Sequence, residues 1–286
     1  MKIHRLNHGD VLKLLPNRPA DAHKGDFGKI LLLAGSVGYT GAPALSALGA
    51  LRTGAGLVFL GVPESIYQIA AMKLIEPIVF PLPQQDGMLS QEALPRILEK
   101  ASSMDAVLMG PGLGCSDATE EIVCQVLSAC PVPVVLDADG INFVGKHKDI
   151  LRGRTSPTIL TPHAGEFQRL TGRKPENRLD SAVEASKDLG VILVLKGHET
   201  VITDGISAYL NPTGNPGMAV GGSGDVLAGM IVSLLGQKIP PLEAAACGAW
   251  LHGAAGDLCA KELGQYGMLP HDILADLGGL FAENGR

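Results

Sequence analysis

The strongest constraint on this chain is a rhythm that begins at Lys29, where short unbroken apolar runs alternate with longer stretches of helical period. A run that is apolar at consecutive positions has no polar face to leave in water, so it suits a strand covered on both sides. Helices between such strands supply the cover and carry the chain back to the same end of the sheet. The pattern predicts an α/β fold with a mainly parallel central sheet. The expected strands are 29–34, 57–62, 106–109, 132–136, 158–160 and 191–195. Helices are expected over 41–53, 90–101, 117–129 and 177–189, each bounded by Gly, Pro, Ser or Asp.

After Lys196 the rhythm changes. Residues 201–203 and 207–210 flank Asp204-Gly205, a pair that readily takes the positive φ of a tight turn, which predicts an antiparallel hairpin at the sheet edge. Residues 211–224 are too rich in Gly and Pro for regular helix or central strand and form a loop. Helical spacing resumes over 225–235. An Ala-rich helix follows over 241–263, its small side chains fitting either close internal packing or an interface between copies. With no linker or repeat, residues 1–286 are expected to form a single domain.

Composition removes several classes of function. A hydrophobic content of 46% without charge blocks or repetitive tracts argues against disorder, coiled coil and collagen-like sequence. Lys+Arg 23 against Asp+Glu 29 leaves a formal charge of −6, which offers no general attraction to nucleic acid. The longest apolar stretches fall short of the ~18 residues that span a bilayer, and no secretory signal opens the sequence, so no membrane partner and a cytoplasmic location are expected. Cys115, Cys124, Cys130, Cys247 and Cys259 contain no Cys-x-x-Cys and read as reduced thiols.

In open parallel sheets, ligands bind beyond the carboxyl ends of the strands, where loops converge and helix N-termini present unpaired amides. The expected strand ends here carry glycine or polar residues: Gly35-Ser36 and Gly38 to Gly41, Gly110 to Gly114, Asp137-Ala138-Asp139, Thr161 to Glu166, and Lys196 to Thr200. Each alone is ordinary turn chemistry, and their shared placement is what points to a site. No Gly-x-x-x-x-Gly-Lys-Ser/Thr occurs, and the glycine loops lack the spacing of a dinucleotide-binding turn.

The strongest local feature is Gly221-Gly222-Ser223-Gly224-Asp225 at the start of a helix. Free amides and the helix dipole would stabilise a phosphate there, and glycine lets it approach the backbone. Ser223 or Asp225 could instead simply cap the helix, although capping does not account for three glycines. A carboxylate beside a phosphate has a raised pKa and becomes a better proton acceptor, which makes Asp225 the candidate general base. Asp137 and Asp139 either hold a magnesium ion through water, alternation pointing them the same way, or cap the next helix. His163 and Glu166 either orient substrate or a hydrated cation, or are structural. Lys196 either meets phosphates or is a solvated surface charge.

Taken in order, the segments AGSVGYTGAPALSALGALRTGAGLV, MGPGLG, VVLDADGIN, ILTPHAGEF, VLKGHETVI and NPTGNPGMAVGGSGDVLAGMI resemble the ADP-dependent NAD(P)H-hydrate dehydratases of the ribokinase-like superfamily, over roughly residues 24–280. The resemblance implies a three-layer α/β/α fold. It implies a lyase of metabolite repair that uses ADP, or ATP in some relatives, with Mg2+, to dehydrate (6S)-NADHX and NADPHX to NADH and NADPH, releasing AMP and phosphate. It implies Asp225 at the reacting centre and substrate contacts from Ala42, Gly112, Gly114 and His163. Nucleotide contacts are implied for Lys196, Gly197, His198, Glu199 and Thr200, and for the loop bearing Asn215, Gly222, Ser223 and Gly224. Asp137 and Glu166 are the candidate magnesium residues.

Relatives assemble as tetramers, and some carry an N-terminal epimerase domain for which too little chain precedes Lys24. The expectation is therefore a stand-alone dehydratase, a homo-oligomer working beside a separate NAD(P)HX epimerase. The rival readings are a superfamily kinase that leaves phosphate on a hydroxylated vitamin precursor or sugar, and a non-catalytic nucleotide-binding protein.

Overall fold

A computed structural model describes residues 2–282. Its strands are β1 (Lys2–Arg5), β2 (Lys29–Leu33), β3 (Leu57–Pro63), β4 (Ile78–Leu82), β5 (Gln84–Gln85), β6 (Met88–Leu89), β7 (Ala106–Met109), β8 (Val134–Leu136), β9 (Thr158–Leu160), β10 (Ile192–Leu195), β11 (Val201–Thr203) and β12 (Ser207–Leu210). The helices are α1 (His8–Leu14), α2 (Ala42–Arg52), α3 (Glu64–Lys73), α4 (Leu94–Ser102), α5 (Asp117–Ala129), α6 (Asp139–Val144), α7 (Lys148–Gly153), α8 (Ala164–Thr171), α9 (Arg178–Leu189), α10 (Ser223–Gly236), α11 (Pro241–Gly267) and α12 (Pro270–Ala282).

Ten strands form one sheet in the order β1-β12-β11-β10-β9-β8-β7-β2-β3-β4. From β10 to β4 every neighbouring pair is parallel, as the continuous apolar runs require. The hairpin β11–β12 adds antiparallel pairing beside β10, as expected from Asp204-Gly205. It is not the last element at that end, because β1 pairs in parallel with β12. At the opposite end β4 pairs with β3 alone and contains Pro81, which has no N–H to offer a further strand.

Alternation along each central strand divides the interior into two cores. Ile30, Leu32, Leu108, Val135, Ile159 and Val194 face one side, packed with residues of α2, α10, α11 and α12. Leu31, Leu33, Val107, Leu136, Leu160 and Leu193 face the other, packed with α4, α5, α8 and α9. The result is the three-layer α/β/α arrangement.

Several boundaries shift for local reasons. The strand expected from 132 begins at Val134, after Pro133. The helix expected over 90–101 divides into a 3-10 turn, Gln91–Ala93, and α4, which has a proline in its first turn. The Ala-rich helix extends to Gly267 across a kink at Gly264, where φ is 71°. Its residues 244–256 are buried within this chain, so internal packing accounts for their small size.

The layer that positions the site depends on the crossing of α2 and α10. A Cβ on Gly229 would stand 2.1 Å from Ser46 O, and one on Gly49 would stand 2.6 Å from Val226 O. Glycine at both points lets the two backbones touch. Gly229→Ala should therefore separate the helices and cost about 1 to 3 kcal/mol, the usual penalty for overpacking. Urea unfolding checks this, and an unchanged midpoint would show that the crossing yields freely.

Candidate active site

The carboxyl ends of β8, β9 and β10 and the N-terminus of α10 face one cleft of about 910 Å³. The chain turns sharply at each end. After β8, Ala138 takes φ 48° and ψ −118°, a conformation costly for a residue with a side chain, and this ends the alternation of the strand. Before α10, Gly222 takes φ 99° as the N-cap, and a Cβ there would meet Leu45 Cδ1 at 2.6 Å. Glycine is thus needed for both the dihedral and the space.

Charge gathers at the centre of the cleft. Asp137 is 2% exposed, and its Oδ1 accepts from Thr161 Oγ1 at 2.6 Å and from Lys196 Nζ at 2.7 Å. The same ammonium lies 3.8 Å from Glu166 Oε2. Burial alone would favour the neutral amine, but the carboxylates of Asp137 and Glu166 outweigh it and raise the Lys196 pKa. A Cβ on Gly224 would stand 3.1 Å from Lys196 Nζ and 3.7 Å from Asp137 Oδ2, so the first turn of α10 passes directly over this pair.

Asp225 projects from that first turn into the same environment. Burial, reinforced by repulsion from Asp137, pushes its carboxyl up to about 7, and the attraction of Lys196 only partly offsets this. Such a carboxyl can exchange a proton near neutrality, which is what a general base needs.

The other expected residues fall into three groups. His163, Lys196, Gly197, His198, Glu199, Thr200, Asn215, Gly222, Ser223 and Gly224 line the cleft, as do Asp137 and Glu166. Some of these side chains are already engaged. His163 Nδ1 accepts from the amides of Gly165 at 3.0 Å and Glu166 at 3.3 Å, capping α8, and Glu166 Oε2 accepts the His163 amide at 2.8 Å. The Asn215 side chain donates to Gly256 O at 2.9 Å and Asp257 Oδ1 at 3.0 Å, and accepts from the Gly217 amide at 3.0 Å, strapping its loop to α11. Thr200 Oγ1 donates to Gly197 O at 2.9 Å within its own turn.

Ala42, Gly112 and Gly114 belong to a second group outside the lining of this cleft. Ala42 and Gly112 are neighbours, since a Cβ on Gly112 would stand 3.2 Å from that of Ala42. The Gly110 loop is tied to the Gly35 loop by Ser36 Oγ donating to Gly112 O at 2.8 Å.

Asp139 forms the third case and corrects the expectation that it points with Asp137. Because the chain turns at Ala138, Asp139 opens α6 and its Oδ2 accepts the Gly114 amide at 3.0 Å, positioning the Gly110 loop. Asp137 and Glu166 have the Lys196 ammonium between them. Among the described residues no group of three or more His, Cys, Asp or Glu side chains gathers as a metal cage. These donors do not fit a resident cation held by the protein alone.

The sequence reading missed His252, in the middle of α11 and lining the cleft with its ring 3.4 Å from Ser223 Oγ. Its signal was there: an imidazole in an otherwise small and apolar run. Asn211 and Thr213 were missed as well. Asn211 Nδ2 donates to Ala249 O at 3.1 Å, fixing the outer wall of the cleft.

Comparison with known proteins decides the family. The NAD(P)H-hydrate dehydratase family model matches residues 30–277. The chain belongs to the NAD(P)H-hydrate dehydratase family. It is 45% identical over 267 residues to the bifunctional NAD(P)H-hydrate repair enzyme of Moorella thermoacetica, covering 91% of this chain and 50% of that protein. The chain thus spans about half the length of the bifunctional relatives it matches. It is 34% identical over 272 residues to the ADP-dependent (S)-NAD(P)H-hydrate dehydratase of Nitrosopumilus maritimus, covering 93% of each. The Bacillus subtilis ADP/ATP-dependent NAD(P)H-hydrate dehydratase, co-crystallised with ATP/Mg2+, superposes with a TM-score of 0.82 at 33% identity, covering 99% of each chain. The ribokinase-like fold of the dehydratase family is therefore present here.

Asp225 should cost the folded state stability wherever it is ionised. Its folded pKa near 7 lies above the ordinary 3.8, so stability is greatest in acid and falls as pH rises between those values. By pH 8 the loss is on the order of 2 to 4 kcal/mol. Asp225→Asn should accordingly melt at or above the wild-type temperature at pH 8, with the advantage shrinking towards pH 4. A lower melting temperature for Asp225→Asn at pH 8 would contradict the burial argument.

Proposed function

We propose that this chain is an ADP-dependent NAD(P)H-hydrate dehydratase that restores NADH and NADPH from the (6S)-hydrates. The observation that carries the reading is a half-buried carboxyl, Asp225, poised near neutrality at a glycine-rich helix start inside a cleft large enough for a nucleotide. The family match supplies the substrate class.

Hydroxide is a poor leaving group, which gives a dehydration a reason to consume a nucleotide. Asp225 takes the proton of the C6 hydroxyl as its oxygen attacks the terminal phosphoryl group of ADP, releasing AMP. The amides of Gly222 and Gly224 face the charge that develops on the phosphoryl oxygens, helped by the dipole of α10, while that of Ser223 donates to Val220 O. The nitrogen lone pair of the reduced pyridine ring then expels phosphate from C6 and the proton is lost from C5, leaving NADH or NADPH.

Lys196 to Thr200 and the loop carrying Asn215 form the walls for the nucleotide. Ala42, Gly112, Gly114 and His163 are assigned to the hydrate. Magnesium is assigned as a companion of the nucleotide phosphates, meeting Asp137 and Glu166 through water. We assign the protein to the cytoplasm as a homo-oligomer, tetrameric as in relatives. The exposed apolar side chains of Ile69, Met72, Ile75 and Ile78 at one end of the sheet support association between copies. A separate epimerase would supply the S form, and residues 1–286 are assigned to a single dehydratase domain.

Incubation with NADHX and ADP, following the reduced-nicotinamide absorbance and inorganic phosphate together, tests the reading. Both should appear in equal amounts, with AMP. Phosphate retained on an organic product would indicate a kinase, and nucleotide binding without turnover would indicate a sensor. Asp225→Ala should lower phosphate release by about 10²- to 10⁴-fold while ADP still binds. The wild-type kcat/KM should fall about tenfold per pH unit below pH 7, as Asp225 takes up its proton. A flat profile from pH 5 to 8 would remove Asp225 from the role of base.

A further inference from the structure

The helix start that gathers the phosphoryl group carries one hydroxyl, and the group behind it is not used in the mechanism above. Ser223 is the first residue of α10, buried and lining the cleft. Its Oγ lies 3.4 Å from His252 Nε2, which reaches it from the neighbouring helix α11. His252 is 7% exposed, stands among Ala249, Gly253 and Ala254, and its ring makes no other hydrogen bond among the described residues. An imidazole in a helix of such small residues occupies space that an aliphatic side chain would fill at lower desolvation cost, so its polarity needs a reason.

We propose that His252 is a positioning residue: its Nε2–H donates to Ser223 Oγ, which leaves the Ser223 hydroxyl proton free to donate into the cleft, to the anion at the start of α10. The inference rests on the reading that a nucleotide's terminal phosphoryl group binds there. A hydroxyl has one proton and two lone pairs, and its direction is set by its partners. If the ring accepted that proton, Ser223 would present only lone pairs to an anion and repel it. A ring that donates makes the serine a donor, adding a side-chain hydrogen bond to those of the backbone amides.

The charge state of the ring agrees with this. Burial first, and then the nearby Lys196 ammonium, hold His252 down at about 4, so the imidazole is neutral at pH 7. One ring nitrogen therefore carries a proton and the other does not, and a directed contact is possible without a second buried cation competing for the phosphates. The 3.4 Å separation is long for a hydrogen bond, as such contacts often are before the charged ligand draws them together.

The test is a double-mutant cycle on Ser223→Ala and His252→Phe, reading kcat, the KM for ADP and the midpoint of thermal unfolding. Each single variant should lower kcat by roughly tenfold to a hundredfold, the range for losing one transition-state donor, and the double variant should fall no further than either alone. His252→Gln, whose amide nitrogen can take the place of Nε2, should recover most of the His252→Phe loss in wild-type Ser223 and none in the Ser223→Ala background. A His252→Phe effect of equal size in both backgrounds, or a fall in unfolding midpoint without a fall in kcat of the folded enzyme, would overturn the proposal. Failure of the underlying reading appears differently, as wild-type protein that neither binds ADP nor releases phosphate.

Discussion

The site depends on one ammonium group held between two carboxylates. Lys196 at the end of β10 meets Asp137 from the end of β8 and Glu166 from α8, while Thr161 at the end of β9 donates to the same Asp137 oxygen. Three consecutive parallel strands are thereby joined at their carboxyl ends by charge as well as by backbone pairing. A buried ion pair of this kind is costly to desolvate, so it is weak evidence of stability for its own sake. Its geometry matters more, since it fixes the floor over which the first turn of α10 passes.

The same arrangement contributes to holding the Asp225 carboxyl near neutrality. Burial contributes most to its raised pKa; repulsion from Asp137 and Glu166 adds to it, and the attraction of Lys196 offsets only part. Removing the lysine charge would leave all three carboxylates without compensation. One cation is in contact with Asp137 and near Glu166, and it acts on Asp225 only through its field.

The parallel centre of the fold was legible because consecutive apolar residues admit few alternatives. Strands 106–109 and 158–160 appear with the bounds read from the sequence. β1 was illegible because it is four residues long, lies at the edge and has one apolar residue, Ile3, among Lys2, His4 and Arg5. β4 was hidden by Pro81, which argues against a central strand and is tolerated only because nothing pairs on its far side. In the site, glycine and polar residues after strands were readable from position alone. Asp139 misled, since a two-residue alternation was carried through Ala138, where the backbone leaves the strand. His252 was missed because its partner is distant in sequence, and only the packing of α11 against α10 brings the two together.

The two ends of the sheet bear on how readily this chain aggregates. One end is closed by the short β1 and the other by a strand interrupted at Pro81, so neither offers a long unbroken row of backbone donors. Strand-to-strand growth, the first step towards fibrous deposits, is blunted at both margins in a chain with a large apolar content. The apolar side chains exposed beside β4 therefore sit next to a margin that opens no path to templated polymerisation.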